Sequence, residues 1–221
     1  MESRIILIRH GITEGNKKRW FYGAADIPLS QEGREELIEQ KADGLYPDVP
    51  DGAQFVTSGL VRTEETLELL YGNVRHTVLP DLQEMSFGDY ECRAFEELTQ
   101  DELFLEWGYD RTGELALPNG ESRNAFAERI SRGMAELVAL HERHEVTVAI
   151  CHGGVISAML QDMFPGKYET MWSWMPRPGC GYTVYMEGDR PVRSESFGRV
   201  GDSLQDAING YNEDESTGGI F

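Results

Sequence analysis

Two short, mostly apolar runs in this chain end in the same way. Ile5-Ile6-Leu7-Ile8 stops at Arg9-His10-Gly11, and Val146-Thr147-Val148-Ala149-Ile150 stops at Cys151-His152-Gly153-Gly154. Runs of this length and character read as strands buried on both faces, the environment of a parallel sheet covered by helices. Strand and helix patterns alternate along the chain. The expected fold is therefore α/β, a three-layer α/β/α sandwich around a mainly parallel sheet. In such sheets ligands bind beyond the carboxyl ends of the strands, where Arg9, His10 and His152 would be delivered. Arginine grips phosphate with a planar fork of donors, and histidine is a nitrogen nucleophile near neutral pH. Together they point to phosphoryl chemistry.

The remaining pattern places further elements around these ends. Residues 12–29 read as a loop carrying Lys17-Lys18-Arg19 and Trp20-Phe21-Tyr22-Gly23. Ser30 can cap a helix to about residue 43, with Leu29 stapling its start. A short strand, 54–57, leads through Ser58, a second expected cap, into a helix with Leu60, Leu67 and Leu70 on one side. Arg62 falls in its first turn, near the positive end of the helix dipole. Residues 75–79 read as another strand. A helical insertion at about 87–120, with a helix near 94–106, is expected to rise over the site. The pattern continues with a helix over 122–143, a helix over 155–163, and strands 181–187 and 192–198 about a Gly188-Asp189 turn.

At 221 residues the chain is long enough for one domain with a large core, expected over 1–200 with an acidic C-terminal tail at 201–221. The formal charge of −19 argues against binding to nucleic acid or to anionic membrane surfaces. It also means that a phosphorylated ligand must be drawn in by a local basic cluster. Three cysteines without metal-ligand spacing, no apolar stretch of membrane-spanning length and a first strand close to the N-terminus predict a cytoplasmic protein. Trp172, Trp174 and Met175 form an apolar patch read as core, with a homodimer contact as the alternative.

The motifs occur in a fixed order. They are Leu7-Ile8-Arg9-His10-Gly11-Ile12-Thr13-Glu14-Gly15-Asn16, Gly23-Ala24-Ala25-Asp26-Ile27-Pro28-Leu29-Ser30-Gln31-Glu32-Gly33 and Thr57-Ser58-Gly59-Leu60-Val61-Arg62-Thr63. Leu82-Gln83-Glu84-Met85-Ser86-Phe87-Gly88, Gly120-Glu121-Ser122 and Cys151-His152-Gly153-Gly154 follow. In this order and spacing the chain resembles the histidine phosphatase superfamily, also called the phosphoglycerate mutase-like family. The resemblance implies that His10 is the nucleophile of a phosphohistidine intermediate and that Arg9, Arg62 and His152 surround the phosphoryl oxygens. It implies that Asn16 touches the phosphate, that Thr13 orders its loop and that Gly23 belongs to the substrate-binding loop. Glu84 is implied as the acid/base, with Glu91 and Glu121 as rivals that its place before Phe87-Gly88 disfavours. No metal and no cofactor is implied.

The same resemblance separates two activities. Mutases of the family carry adjacent arginines after the catalytic glutamate motif, whereas Met85-Ser86-Phe87-Gly88-Asp89-Tyr90-Glu91 holds no basic residue. Hydrolysis of a small phosphorylated metabolite is therefore expected, with similarity to the small α-ribazole phosphatase-like and broad-specificity members. Phosphoglycerate mutation is the alternative, and an inactive phosphate-binding or scaffolding protein on the same fold is a further one. Trp20, Phe21, Tyr22, Phe87, Phe104 and Trp107 read as either a substrate pocket or core. Cys92 stands where family phosphatases often have glycine.

Overall fold

The N-terminal apolar run forms β1 (Arg4–Arg9), whose four central residues are fully buried. The structure, a computed structural model, describes residues 2–199, so the acidic segment 201–221 lies outside the described residues. After β1 come α1 (Glu14–Lys17), β2 (Trp20–Phe21), α2 (Gln31–Ala42), β3 (Gln54–Thr57), α3 (Val61–Tyr71) and β4 (Thr77–Val78). Then follow β5 (Arg93–Ala94), α4 (Phe95–Leu98), α5 (Glu102–Tyr109), α6 (Arg123–His141), β6 (Val146–Cys151), α7 (Gly153–Met163), β7 (Gly181–Glu187) and β8 (Arg190–Phe197).

The main sheet has the order β4-β3-β6-β1-β7-β8. The first four strands run parallel, while β7 and β8 add an antiparallel edge. Alternation along each strand sends neighbouring side chains to opposite faces. Ile5 and Leu7 join a core with Leu137 of α6 and Ile156 of α7, while Ile6 and Ile8 join Leu37 of α2 and Leu67 of α3. Both faces are thus covered, and each buried Ile or Leu contributes about 1.5–3 kcal/mol of transfer free energy. The expected α/β/α sandwich with a mainly parallel sheet is the architecture observed. Among the described residues no helix is long and apolar enough to cross a membrane.

Register decides what the sheet presents. Arg9 lies beside Cys151 and Thr57 beside Ile150, so β1, β6 and β3 end level. The residues that follow each strand therefore emerge side by side.

Local differences from the sequence reading have side-chain causes. The 12–29 loop contains α1, because Thr13 and Asn16 form a reciprocal capping box. It also contains β2, which pairs with β5 in a separate two-stranded sheet. The single helix expected near 94–106 is two helices. Asp101 interrupts it and caps α5 by accepting from Phe104 N. Ser30 caps α2 as expected. Ser58 does not cap α3, whose first residue Val61 instead donates its N–H to Asp26 of the distant loop (2.7 Å). The strand expected over 75–79 is shortened to two residues, and α7 starts two residues earlier than expected, at Gly153. Trp174 is core, whereas Trp172 is 37% exposed.

Candidate active site

The four parallel strands hand over the candidate residues in sheet order. β4 leads to Glu84, β3 to Ser58 and Arg62, β6 to His152, and β1 to Arg9 and His10. His10 is 3% exposed, and its Nδ1 lies 2.7 Å from the Gly11 carbonyl oxygen. A carbonyl only accepts, so Nδ1 carries the proton and Nε2 keeps its lone pair. Burial, followed by the positive charges of Arg62 and Arg9, holds the His10 pKa well below its ordinary value. The result is a neutral imidazole with a defined nucleophilic nitrogen. The His152 ring stands 5.3 Å from it, centroid to centroid, at 61°.

Both ring nitrogens of His152 are engaged by protein groups. Its Nδ1 accepts from Arg62 Nε (3.2 Å), which leaves Nε2–H to donate to Ser58 Oγ (2.8 Å). Burial, Arg62, His10 and Arg9 in that order push its pKa well down. Ser58, read from the sequence as a helix cap, is thus a partner of His152.

Three arginines in this region differ in how fully they are bonded. Arg129 donates to both oxygens of Glu121 and to the carbonyls of Asp81, Gln83 and Glu84, so all five of its N–H groups are used. Arg62 is fully buried and uses three, to His152, to Ala25 O (2.7 Å) and to Gly23 O (2.5 Å). Arg9 donates Nη1 to Pro176 O (2.8 Å), and its buried Nε has no partner among the described residues. Arg62 and Arg9 therefore retain donors and positive charge for an anion, beside two neutral histidines.

The carboxylates also separate. Glu84 Oε2 accepts from Gly154 N at the start of α7 (2.9 Å), and a Cβ on Gly154 would lie 2.5 Å from Glu84 Oε1. Glycine at 154 thus lets Glu84 approach the strand ends. Glu121 is paired with Arg129 and accepts from Ser86 N (2.9 Å). Glu91 accepts backbone N–H groups from Gly23, Ala24, Ala25 and Phe87. Of the two rivals of Glu84, Glu121 is locked to the Arg129 side chain and Glu91 is spent on four backbone N–H groups.

Thr13 and Asn16 order the start of the loop, and Thr13 Oγ1 lies 2.5 Å from the Tyr22 hydroxyl. Gly23 contributes its carbonyl to Arg62, and a Cβ there would fall 1.8 Å from Met85 O. Phe21, Phe87, Phe104 and Trp107 pack on one another and are core. Tyr22 does face the site, its ring 5.4 Å from the Arg62 guanidinium. Lys17 is exposed and pairs with Glu32 (3.0 Å). The sequence carries no local signal for Asp26, Glu91 or Arg129 as holders of this backbone, since nothing nearby in sequence says which backbone a carboxylate or guanidinium will reach.

Burial of His10 and His152 in neutral form has a measurable consequence. In the unfolded chain each returns to about 6.5. Below that pH the unfolded state binds protons that the native state refuses, so stability is fully present above 6.5 and is lost as pH falls. Urea midpoints are expected to drop between about pH 7.5 and 5.5, and to drop less in His10→Gln. Equal drops in both proteins would count against a buried neutral His10.

Comparison with known proteins places this arrangement. The model of the histidine phosphatase superfamily (branch 1) matches residues 5–197. The chain is 33% identical over 185 residues to adenosylcobalamin/α-ribazole phosphatase of Escherichia coli (strain K12), covering 80% of this chain and 87% of that protein. It is 29% identical over 175 residues to a 2,3-bisphosphoglycerate-dependent phosphoglycerate mutase of Xanthobacter autotrophicus, covering 74% and 82%. The crystal structure of the α-ribazole phosphatase from Shigella flexneri superposes with a TM-score of 0.72 at 27% identity, over 91% of this chain and 96% of that one. With that family model matched over nearly all the described residues and the fold shared with a solved member, the chain belongs to the histidine phosphatase superfamily.

Proposed function

We propose that this protein is a phosphomonoesterase that hydrolyses a small phosphorylated metabolite through a phosphohistidine on His10. The carrying observation is a neutral His10 with a free Nε2, set among arginines that keep unused donors. In the first step Nε2 attacks phosphorus, the P–N bond forms and the P–O bond to the leaving group breaks. Glu84 gives its proton to the departing oxygen. In the second step Glu84 takes a proton from water, which attacks phosphorus, breaks the P–N bond and releases orthophosphate. Arg9 and Arg62 neutralise the equatorial oxygens throughout. An arriving dianion favours protonation of His152 at Nδ1, which would turn that nitrogen from an acceptor of Arg62 into a donor to the phosphoryl group.

Mutase activity is the second reading, because phosphoglycerate mutases are among the relatives. Against it, Arg93 lies near Asp101 (3.6 Å) and over the Tyr90 ring, and Arg111 is exposed. Neither supplies the adjacent basic pair that would grip a retained carboxylate. The protein is expected to hydrolyse p-nitrophenyl phosphate in the presence of a metal chelator. A panel of phosphorylated metabolites scored by phosphate release then ranks leaving groups. Isomerisation of 3-phosphoglycerate with a bisphosphate primer, without phosphate release, would establish the mutase instead.

A further inference from the structure

Glu91 sits between the turn at Gly88–Tyr90 and β5, outside the group of residues that would touch a substrate. Its Oε2 accepts from Gly23 N (2.8 Å) and Ala25 N (3.1 Å), and its Oε1 accepts from Ala24 N (3.0 Å) and Phe87 N (2.9 Å). A carboxylate offers about four lone-pair sites, so this one is saturated. The N–H of Ala24 and the carbonyl of Gly23 belong to one peptide group. That peptide donates to Glu91 on one side and accepts from Arg62 Nη2 (2.5 Å) on the other.

We infer that Glu91 is a positioning residue that aims the Arg62 guanidinium at the phosphoryl site through the 23–24 peptide. The inference rests on the phosphatase reading. A carboxylate bonded directly to Arg62 would cancel the charge that an anion needs. Among the described residues Arg62 has no such partner, since its acceptors are two carbonyls and an imidazole. The intervening peptide orients the fork while leaving its charge available. The surrounding backbone is over-determined in a way that suits this role. Cys92 holds φ of 61°, a left-handed conformation that is strained for a non-glycine residue. Its N–H is tied to Phe21 O (2.8 Å). On the far side, Gly23 lies against Met85 O with no room for a Cβ.

A double-mutant cycle tests the inference. Glu91→Gln replaces one acceptor oxygen with an amide that faces N–H donors. It should lower kcat/KM about 30- to 100-fold, the scale of an ångström misplacement, and weaken orthovanadate inhibition in parallel. In an Arg62→Ala background the same substitution should change kcat/KM less than about twofold, because the route to the site is already cut. Glu91→Asp keeps the charge but shortens the reach, and serves if the glutamine variant does not fold. Wild-type kinetics in either folded variant, or an equal loss in both backgrounds, would overturn the role. Failure of both variants to fold would also overturn it, assigning Glu91 to the scaffold. If wild type hydrolyses no phosphomonoester, the phosphatase reading fails by itself. The cycle, read on orthovanadate affinity, then still decides Glu91.

Discussion

His10→Ala is expected to lower hydrolysis of p-nitrophenyl phosphate by at least about 10⁴-fold, because on the proposed route it removes the atom that bonds to phosphorus. The Nδ1–H bond to Gly11 O makes the assignment specific, since it leaves only Nε2 with a lone pair. Folding should survive, because the ring makes one side-chain hydrogen bond, to its neighbour Gly11. Rapid acid-free quenching of wild type with labelled substrate should show label on the protein, and His10→Ala should show none. Activity within tenfold of wild type in the alanine variant would sink the phosphohistidine route.

Arg62→Ala is expected to reduce kcat/KM by about 10³-fold, the scale on which an arginine that stabilises phosphoryl transfer acts. It should also cost roughly 2–5 kcal/mol of stability, because buried Gly23 O and His152 Nδ1 and half-buried Ala25 O lose their donor. Arg62→Lys keeps the charge but not the fork, so it should restore part of the binding and little of the geometry. Steady-state kinetics and urea denaturation separate the two losses. Orthophosphate should raise the melting temperature of wild type and leave that of Arg62→Ala unchanged. A folded Arg62→Ala protein with kcat/KM within threefold of wild type would remove Arg62 from the site.

Several elements were legible in sequence because the information is local. The alternation of Ile5, Ile6, Leu7 and Ile8 with no polar face requires burial on both sides, and helices cover both sides. Ser30 caps α2 because a hydroxyl needs to reach only three residues ahead. The same reasoning failed for Ser58. Three residues ahead of it lies Val61, but the Val61 N–H is taken by Asp26, 35 residues away. That freed Ser58 Oγ to meet His152. The aromatic residues failed differently. Phe21, Phe87, Phe104 and Trp107 have the same chemistry in a pocket as in a core, and only their mutual packing shows which they occupy.

Among the glutamates the division is sharpest. By itself the sequence determined the buried strands β1 and β6, their carboxyl-terminal Arg-His and His-Gly-Gly ends, and therefore which edge of the sheet gathers the candidate residues. Strand burial and chain turning depend on neighbours a few residues apart. Tertiary structure decided that Glu84 meets the start of α7, that Glu121 is locked to Arg129, and that Glu91 is spent on the 23–25 backbone. A carboxylate's role is set by the donors that surround it in space, and several of them, Ser86, Gly154 and the 23–25 backbone, come from segments about 35 to 70 residues distant.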